Sequence, residues 1–242
     1  MTTQQPAALS TQRRDRPKSR SRGWAVPAAL VALSAIPLAA GTLRLVQLAG
    51  GPELMPADAR FVDFPAPLVL HILGAAIYAV VGVFQFVPGI RRRHRAWHRR
   101  AGRVLVVAGL MVAVSALWMT LLYAAKPGTG DLLYVLRLVF GSALAACLVL
   151  GFTAIRRRDI AAHRAWMIRA FAIALAAGTQ AFTEGFSGAV FGTGELRDDL
   201  AKGAAWVINL AVAEWAIRRP ARRRLDRASA LRPAAGAVGA PS

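Results

Sequence analysis

Ten polar side chains stand where an apolar chain has least use for them, and their types set the chemistry on offer. Arg44, His71, Arg137, Gln180 and Glu184 each fall a few residues inside a long apolar run. His98, His163, Arg169, Asn209 and Glu214 lie near the opposite ends of such runs. Ionisable groups in a membrane helix are costly, so each is a functional candidate by default. At about 1.5 Å of rise per residue, Arg44, His71, Arg137 and Glu184 sit roughly 6–10 Å below the outer boundary, with Gln180 one turn deeper.

Two cations, a carboxylate and an imidazole at one level suit a small site for an anionic or carbonyl-bearing ligand, with His71 carrying a proton. Arg137 and Glu184 are expected to pair, because neither is stable alone in lipid. The competing expectation is a polar clamp that only fixes helix packing. In the inner layer, His98 and His163 stand at the starts of two helices and could ligate one haem iron axially, with arginines meeting the propionates. The competing expectation there is a pair of satisfied interfacial histidines. Glu214 is expected to meet Arg169, Arg218 or a histidine, and Asn209 to hydrogen-bond between helices.

The elements that must position these groups are six apolar stretches, at about 24–48, 67–87, 104–125, 132–155, 166–190 and 201–217. Most are long enough to cross a bilayer, which takes about 20 residues; the last is the shortest. The 242 residues are 56% hydrophobic and 18% charged, which argues against both disorder and an ordinary soluble domain. Domain organisation follows: a basic tail 1–23, a membrane domain 24–217, and a tail 218–242 that is basic and then Ala/Pro/Gly-rich. Both tails are expected to be disordered and cytoplasmic. The first stretch reads as a retained helix; a cleaved signal peptide is the alternative, against which stand its length and its poor cleavage site.

The net charge of +19 is not spread at random. Segments 1–23, 91–103, 156–169 and the C-terminal tail hold 25 of the 31 Lys and Arg residues. They alternate with segments holding Glu53, Asp58 and Asp63, then Asp131, then Glu195, Asp198 and Asp199. By the positive-inside rule this predicts an inner-membrane protein with six transmembrane helices and both termini in the cytoplasm. The same distribution excludes a nucleic-acid groove and predicts contact with anionic inner-leaflet lipid. The lone Cys147 allows no intrachain disulfide. Soluble-enzyme signatures such as a P-loop, a dinucleotide fingerprint or a nucleophile elbow are absent. Pro88-Gly89 is expected to close the second helix and Pro127-Gly128 to make the turn between the third and fourth.

His94-Arg95-Ala96-Trp97 recurs as His163-Arg164-Ala165-Trp166, each after an arginine triplet. This predicts a parallel repeat of helices two–three and four–five. Trp97 and Trp166 read most simply as headgroup-level anchors.

Together with His71, several runs carry a family resemblance. They are Gly82-Val83-Phe84-Gln85-Phe86, Trp97-His98-Arg99-Arg100-Ala101-Gly102-Arg103, His163-Arg164-Ala165-Trp166-Met167-Ile168-Arg169-Ala170, and Trp206-Val207-Ile208-Asn209 with Glu214. Over about residues 67–219 the chain resembles the bacterial membrane family of domain of unknown function 2306. That resemblance implies a multi-helix membrane bundle and no particular activity. Its layout is similar to cytochrome b and ferric-reductase bundles, a fold-level analogy. The leading expectation is a membrane redox component binding haem b or a quinone, with a membrane redox partner or a second copy of the chain as companion. The alternatives are a small-solute or proton-coupled transporter and a non-catalytic membrane interaction protein.

Overall fold

The computed structural model describes residues 25–230. The expected tail 1–23 and the last part of the expected C-terminal tail, 231–242, lie outside the described residues. The described part is helical: α1 (Ala25–Leu48), α2 (Ala66–Gln85), α3 (Pro88–Arg93), α4 (Arg95–Leu122), α5 (Asp131–Arg156), α6 (Ile160–Ala174), α7 (Ala176–Phe191) and α8 (Glu195–Ala230), with a short 3₁₀ turn at Ala59–Phe61. In hydrocarbon a helix satisfies its own backbone polar groups, which is why apolar runs of this length fold this way.

Five of these helices are long and apolar enough to cross a membrane: α1, α2, α4, α5 and the Glu195–Arg219 part of α8. The bent pair α6 and α7, which meet at 43°, passes the same test when taken together, giving five to six candidate spans. The expected all-α membrane bundle is therefore found, with six spans when the bent pair crosses as one. The last helix, expected to be the shortest, is the longest, since it begins at Glu195 and runs on through part of the segment expected as a tail. The basic segment 91–103, expected as a loop, is carried on α3 and the first turns of α4. Pro88 opens α3, and α2 has already ended at Gln85.

Neighbouring long helices run antiparallel, as α2 and α4 do at Gly74 with Ala108 and His71 with Ser115, and α4 and α5 at Gly109 with Leu148 and Leu117 with Gly141. The arginine segments therefore gather at one end of the bundle, here the arginine end. The connections 49–65, 123–130 and 192–194 gather at the other, the loop end. At Pro127-Gly128 the chain turns as expected, with Gly128 at φ +76°. The core is built from α2, α4, α5 and α6, around Tyr78, Ala113, Leu148, Ala170 and Phe171. Small residues let the backbones approach, since lipid supplies no hydrophobic drive to push helices together. The closest seat is Gly178, where the Leu33 carbonyl of α1 occupies the space a Cβ would need.

Two side chains repair helix ends that the sequence leaves bare. The start of α5 has no capping side chain of its own at Gly130. The fully buried Asp199 of α8 supplies it: Oδ2 accepts from the Gly130 and Leu133 amides at 3.1 and 3.0 Å. A carboxylate at a helix N-terminus satisfies otherwise orphaned amides and opposes the helix dipole. At the α6–α7 break, Asn209 Nδ2 donates to the Ala172 carbonyl (3.1 Å) and its Oδ1 accepts from Thr179 Oγ1 (2.9 Å). One amide thus ties α8 to both halves of the broken span.

Candidate functional site

A cavity of about 600 Å³ lies inside the bundle. That volume falls within the roughly 300–1,000 Å³ typical of small-molecule sites. It starts at Arg60, Phe61 and Lys126 at the loop end and reaches inward to Tyr78 and Phe171. Every helix except α3 contributes to its wall, and the α6–α7 break forms part of it. The charged lining residues are Arg60, Lys126, Arg137 and Lys202, and no carboxylate lines it among the described residues. The rest of the wall is mostly apolar and aromatic, including the stacked pairs Phe140–Trp206 and Tyr78–Phe171.

Each cation has a different status. Arg60 is neutralised by Asp58, whose Oδ2 lies 2.6 Å from Nη2; the Arg60 guanidinium holds the Asp58 carboxyl below the usual carboxylate range. Lys202 Nζ is 3.2 Å from Glu184 Oε2. Arg137, half-buried on α5, makes no ion pair and no hydrogen bond among the described residues. Asp199 and Glu184 act on Arg137 electrostatically from beyond ion-pair distance. A half-buried cation with no carboxylate in direct contact is costly to keep, and an anionic ligand group offsets that cost.

His71 lines the same cavity from α2. Its Nδ1 is 3.2 Å from the Val112 carbonyl and 3.1 Å from Ser115 Oγ. Ser115 Oγ itself donates to the Met111 carbonyl at 2.6 Å, so both neighbours of Nδ1 are acceptors. Nδ1 therefore carries the proton, and a neutral His71 keeps its Nε2 lone pair for a partner from outside the protein. Gln180 also lines the cavity; its amide donates to the Lys202 carbonyl at 3.3 Å.

Three of the five expected outer-layer residues, His71, Arg137 and Gln180, are therefore brought together. Two are not. The expected Arg137–Glu184 pair is not at ion-pair distance; Lys202 lies 3.2 Å from Glu184 instead, and Glu184 acts on Arg137 only from further away. With α8 starting at Glu195, Lys202 stands two turns inside that helix and faces α7 at this level. Arg44 turns away from the layer: its guanidinium donates to Gln47 Oε1 (2.9 Å) and to the Pro56 carbonyl (3.1 Å), bracing the 49–58 connection. Sequence reasoning missed Arg60 and Lys126, which lie between the apolar stretches, Lys202 at the start of the last one, and the capping role of Asp199. The bare α5 start after Thr129-Gly130 was the available signal for the last.

The arginine-end layer is internally satisfied. Arg169 Nε donates to Glu214 Oε1 at 2.5 Å, Arg218 lies 3.5 Å from the other Glu214 oxygen, and the Arg169 guanidinium covers the Trp166 ring at 4.9 Å. His163 Nδ1 donates to the Gly151 carbonyl at 2.8 Å, fastening α6 to α5. His98 is half-buried on α4. Neither histidine lines the cavity, and the haem expectation for this pair draws no support from the structure.

Comparison with curated proteins and with solved structures returned no match to this chain. A family of predicted membrane proteins does match, over residues 68–217, which takes in every helix from α2 to the membrane part of α8. That span holds His71, Arg137, Gln180 and Lys202, and the chain belongs to this family, the predicted membrane protein family DUF2306.

Proposed function

We propose that the protein binds an amphiphile with an anionic head and an apolar tail in the bundle cavity. The head rests between Arg137 and Lys202, the tail lies against the apolar wall, and His71 Nε2 exchanges a proton with the head. The observation that carries this reading is the half-buried Arg137, with no carboxylate at ion-pair distance, beside a cavity whose charged lining is wholly basic. Net positive lining selects for anions by the same electrostatics that penalises the empty arrangement. The positive-inside distribution supports an inner-membrane setting with both termini cytoplasmic, which puts the cavity mouth on the periplasmic side.

A quinol is the second reading. One observation favours it: the His71 Nε2 lone pair accepts from a quinol hydroxyl, and the Phe140–Trp206 and Tyr78–Phe171 pairs give a ring an aromatic wall. The test is a titration of the detergent-purified protein with dodecanoate and with a short-chain quinol, read by tryptophan fluorescence through Trp206. The expected result is saturable dodecanoate binding, weakened at least tenfold by Arg137→Gln. Quinol binding without dodecanoate binding would move the assignment to the second reading. Binding of neither would overturn both.

A further inference from the structure

The inner part of the cavity holds two hydroxyls that the head-binding residues leave unexplained. Ser34 of α1 is 4% exposed and its Oγ has no hydrogen-bond partner among the described residues. Tyr78 of α2 is 6% exposed, with its ring against Gly109 of α4 and Phe171 of α6. No side-chain hydrogen bond of Tyr78 is found among the described residues, although its hydroxyl, unlike Ser34 Oγ, is not a fully enclosed unpaired atom. Both residues line the cavity. Buried hydroxyls are nearly always paired, so the unpaired Ser34 Oγ, in the same chamber as the Tyr78 hydroxyl, points to a partner from outside the chain.

They also lie at one level. Gly41 of α1 faces Ile72 of α2, and the two helices run in opposite directions. Stepping seven residues along each from that contact brings Ser34 beside Ala79, next to Tyr78 in the chain. The seat of Gly178 on the Leu33 carbonyl puts the start of α7 at this same level. Tyr78 is seven residues beyond His71 on α2, a rise of about 10 Å. The cavity thus has a cationic level near its mouth and a hydroxyl level about 10 Å further in, with apolar wall between.

We infer that the ligand is bipolar, an anionic amphiphile bearing a hydroxyl or carbonyl group about 10 Å from its head, which Ser34 and Tyr78 hold. This rests on the anionic-amphiphile reading and refines it. A hydroxyl or carbonyl is the right chemistry because each protein hydroxyl supplies one donor and can also accept, without any charge at this depth to balance.

The experiment compares dodecanoate with its derivative hydroxylated about two-thirds of the way along the acyl tail, on the full chain in detergent. Wild type should bind the hydroxy derivative at least tenfold more tightly. In Ser34→Ala and in Tyr78→Phe that ratio should fall towards one, with thermal midpoints confirming that each variant is folded. Ser34→Ala alone suffices if Tyr78→Phe does not fold, because it removes one small oxygen. Equal affinity of the two probes for wild type would overturn the bipolar ligand while leaving the anionic site standing; water then satisfies the two hydroxyls. A ratio unchanged in both variants would overturn the assignment to Ser34 and Tyr78. Failure of wild type to bind either probe would remove the anionic site and this inference together.

Discussion

The two polar layers of this bundle hold similar residue types and end in opposite states. At the arginine end, Arg169, Arg218 and Glu214 form a closed ion group, and His163 is committed to a backbone carbonyl. At the loop end, Lys202 and Glu184 pair, but Arg137 and the Nε2 face of His71 are left over around a cavity. Membrane-embedded polar groups that answer one another hold helices together. Groups left unanswered in a chamber mark where something else belongs. Residue type and depth alone do not separate the two cases; partner geometry does.

That contrast predicts opposite responses to substitution. Glu214→Gln should have the largest effect on stability, about 2 kcal/mol, because it strips a charged hydrogen bond and leaves Arg169 unbalanced. A lowered thermal midpoint in detergent would register it, and an unchanged midpoint would erase the distinction between the layers. Asn209→Leu should lose about 1–2 kcal/mol by the same measurement, since the Ala172 carbonyl and the Thr179 hydroxyl both lose their partner. Arg137→Met should leave the midpoint unchanged or raised, because an apolar side chain removes an unbalanced charge from the interior. The same variant should weaken dodecanoate binding at least tenfold. A marked loss of stability in Arg137→Met would make Arg137 structural and close the comparison.

The smallest effect belongs to Asp58→Asn, under about 1 kcal/mol, since this pair is partly solvated. Its sign with pH is fixed. The Asp58 carboxyl titrates below its ordinary value of 3.8, so its contribution is present above that value and is lost as pH falls through the lowered one. Wild type and Asp58→Asn should therefore converge in midpoint at strongly acid pH and separate slightly near neutrality.

Much of the bundle was legible from apolar run lengths, because hydrocarbon thickness fixes how many residues a span needs. The stretches at 24–48 and 132–155 match α1 and α5 to within a residue or so at each end. The broken span was not legible. Nothing in Ala174-Leu175-Ala176 breaks a helix by itself, and the partner that bonds to both sides of the bend, Asn209, comes from α8. The site was read in part. His71, Arg137 and Gln180 stood out as polar residues in apolar runs, whereas Lys202 was hidden by a helix start placed six residues late. Ser34 and Tyr78 gave no signal, since serine and tyrosine are ordinary in membrane helices. Their interest comes only from hydroxyls that make no hydrogen bond among the described residues.

The meeting of Gly178 with the Leu33 carbonyl has a mechanical consequence. Of the residues in α1 only Pro27 and Ser34 are buried, so the helix is a panel lightly fastened to one flank of the chamber. Its tightest fastening is a backbone-to-backbone contact that exists because one methyl group is missing. Separating that contact would loosen the wall that Ser34, Pro37 and Leu38 give the chamber and open it sideways. A guest dissolved in lipid would then have a doorway that never passes through water.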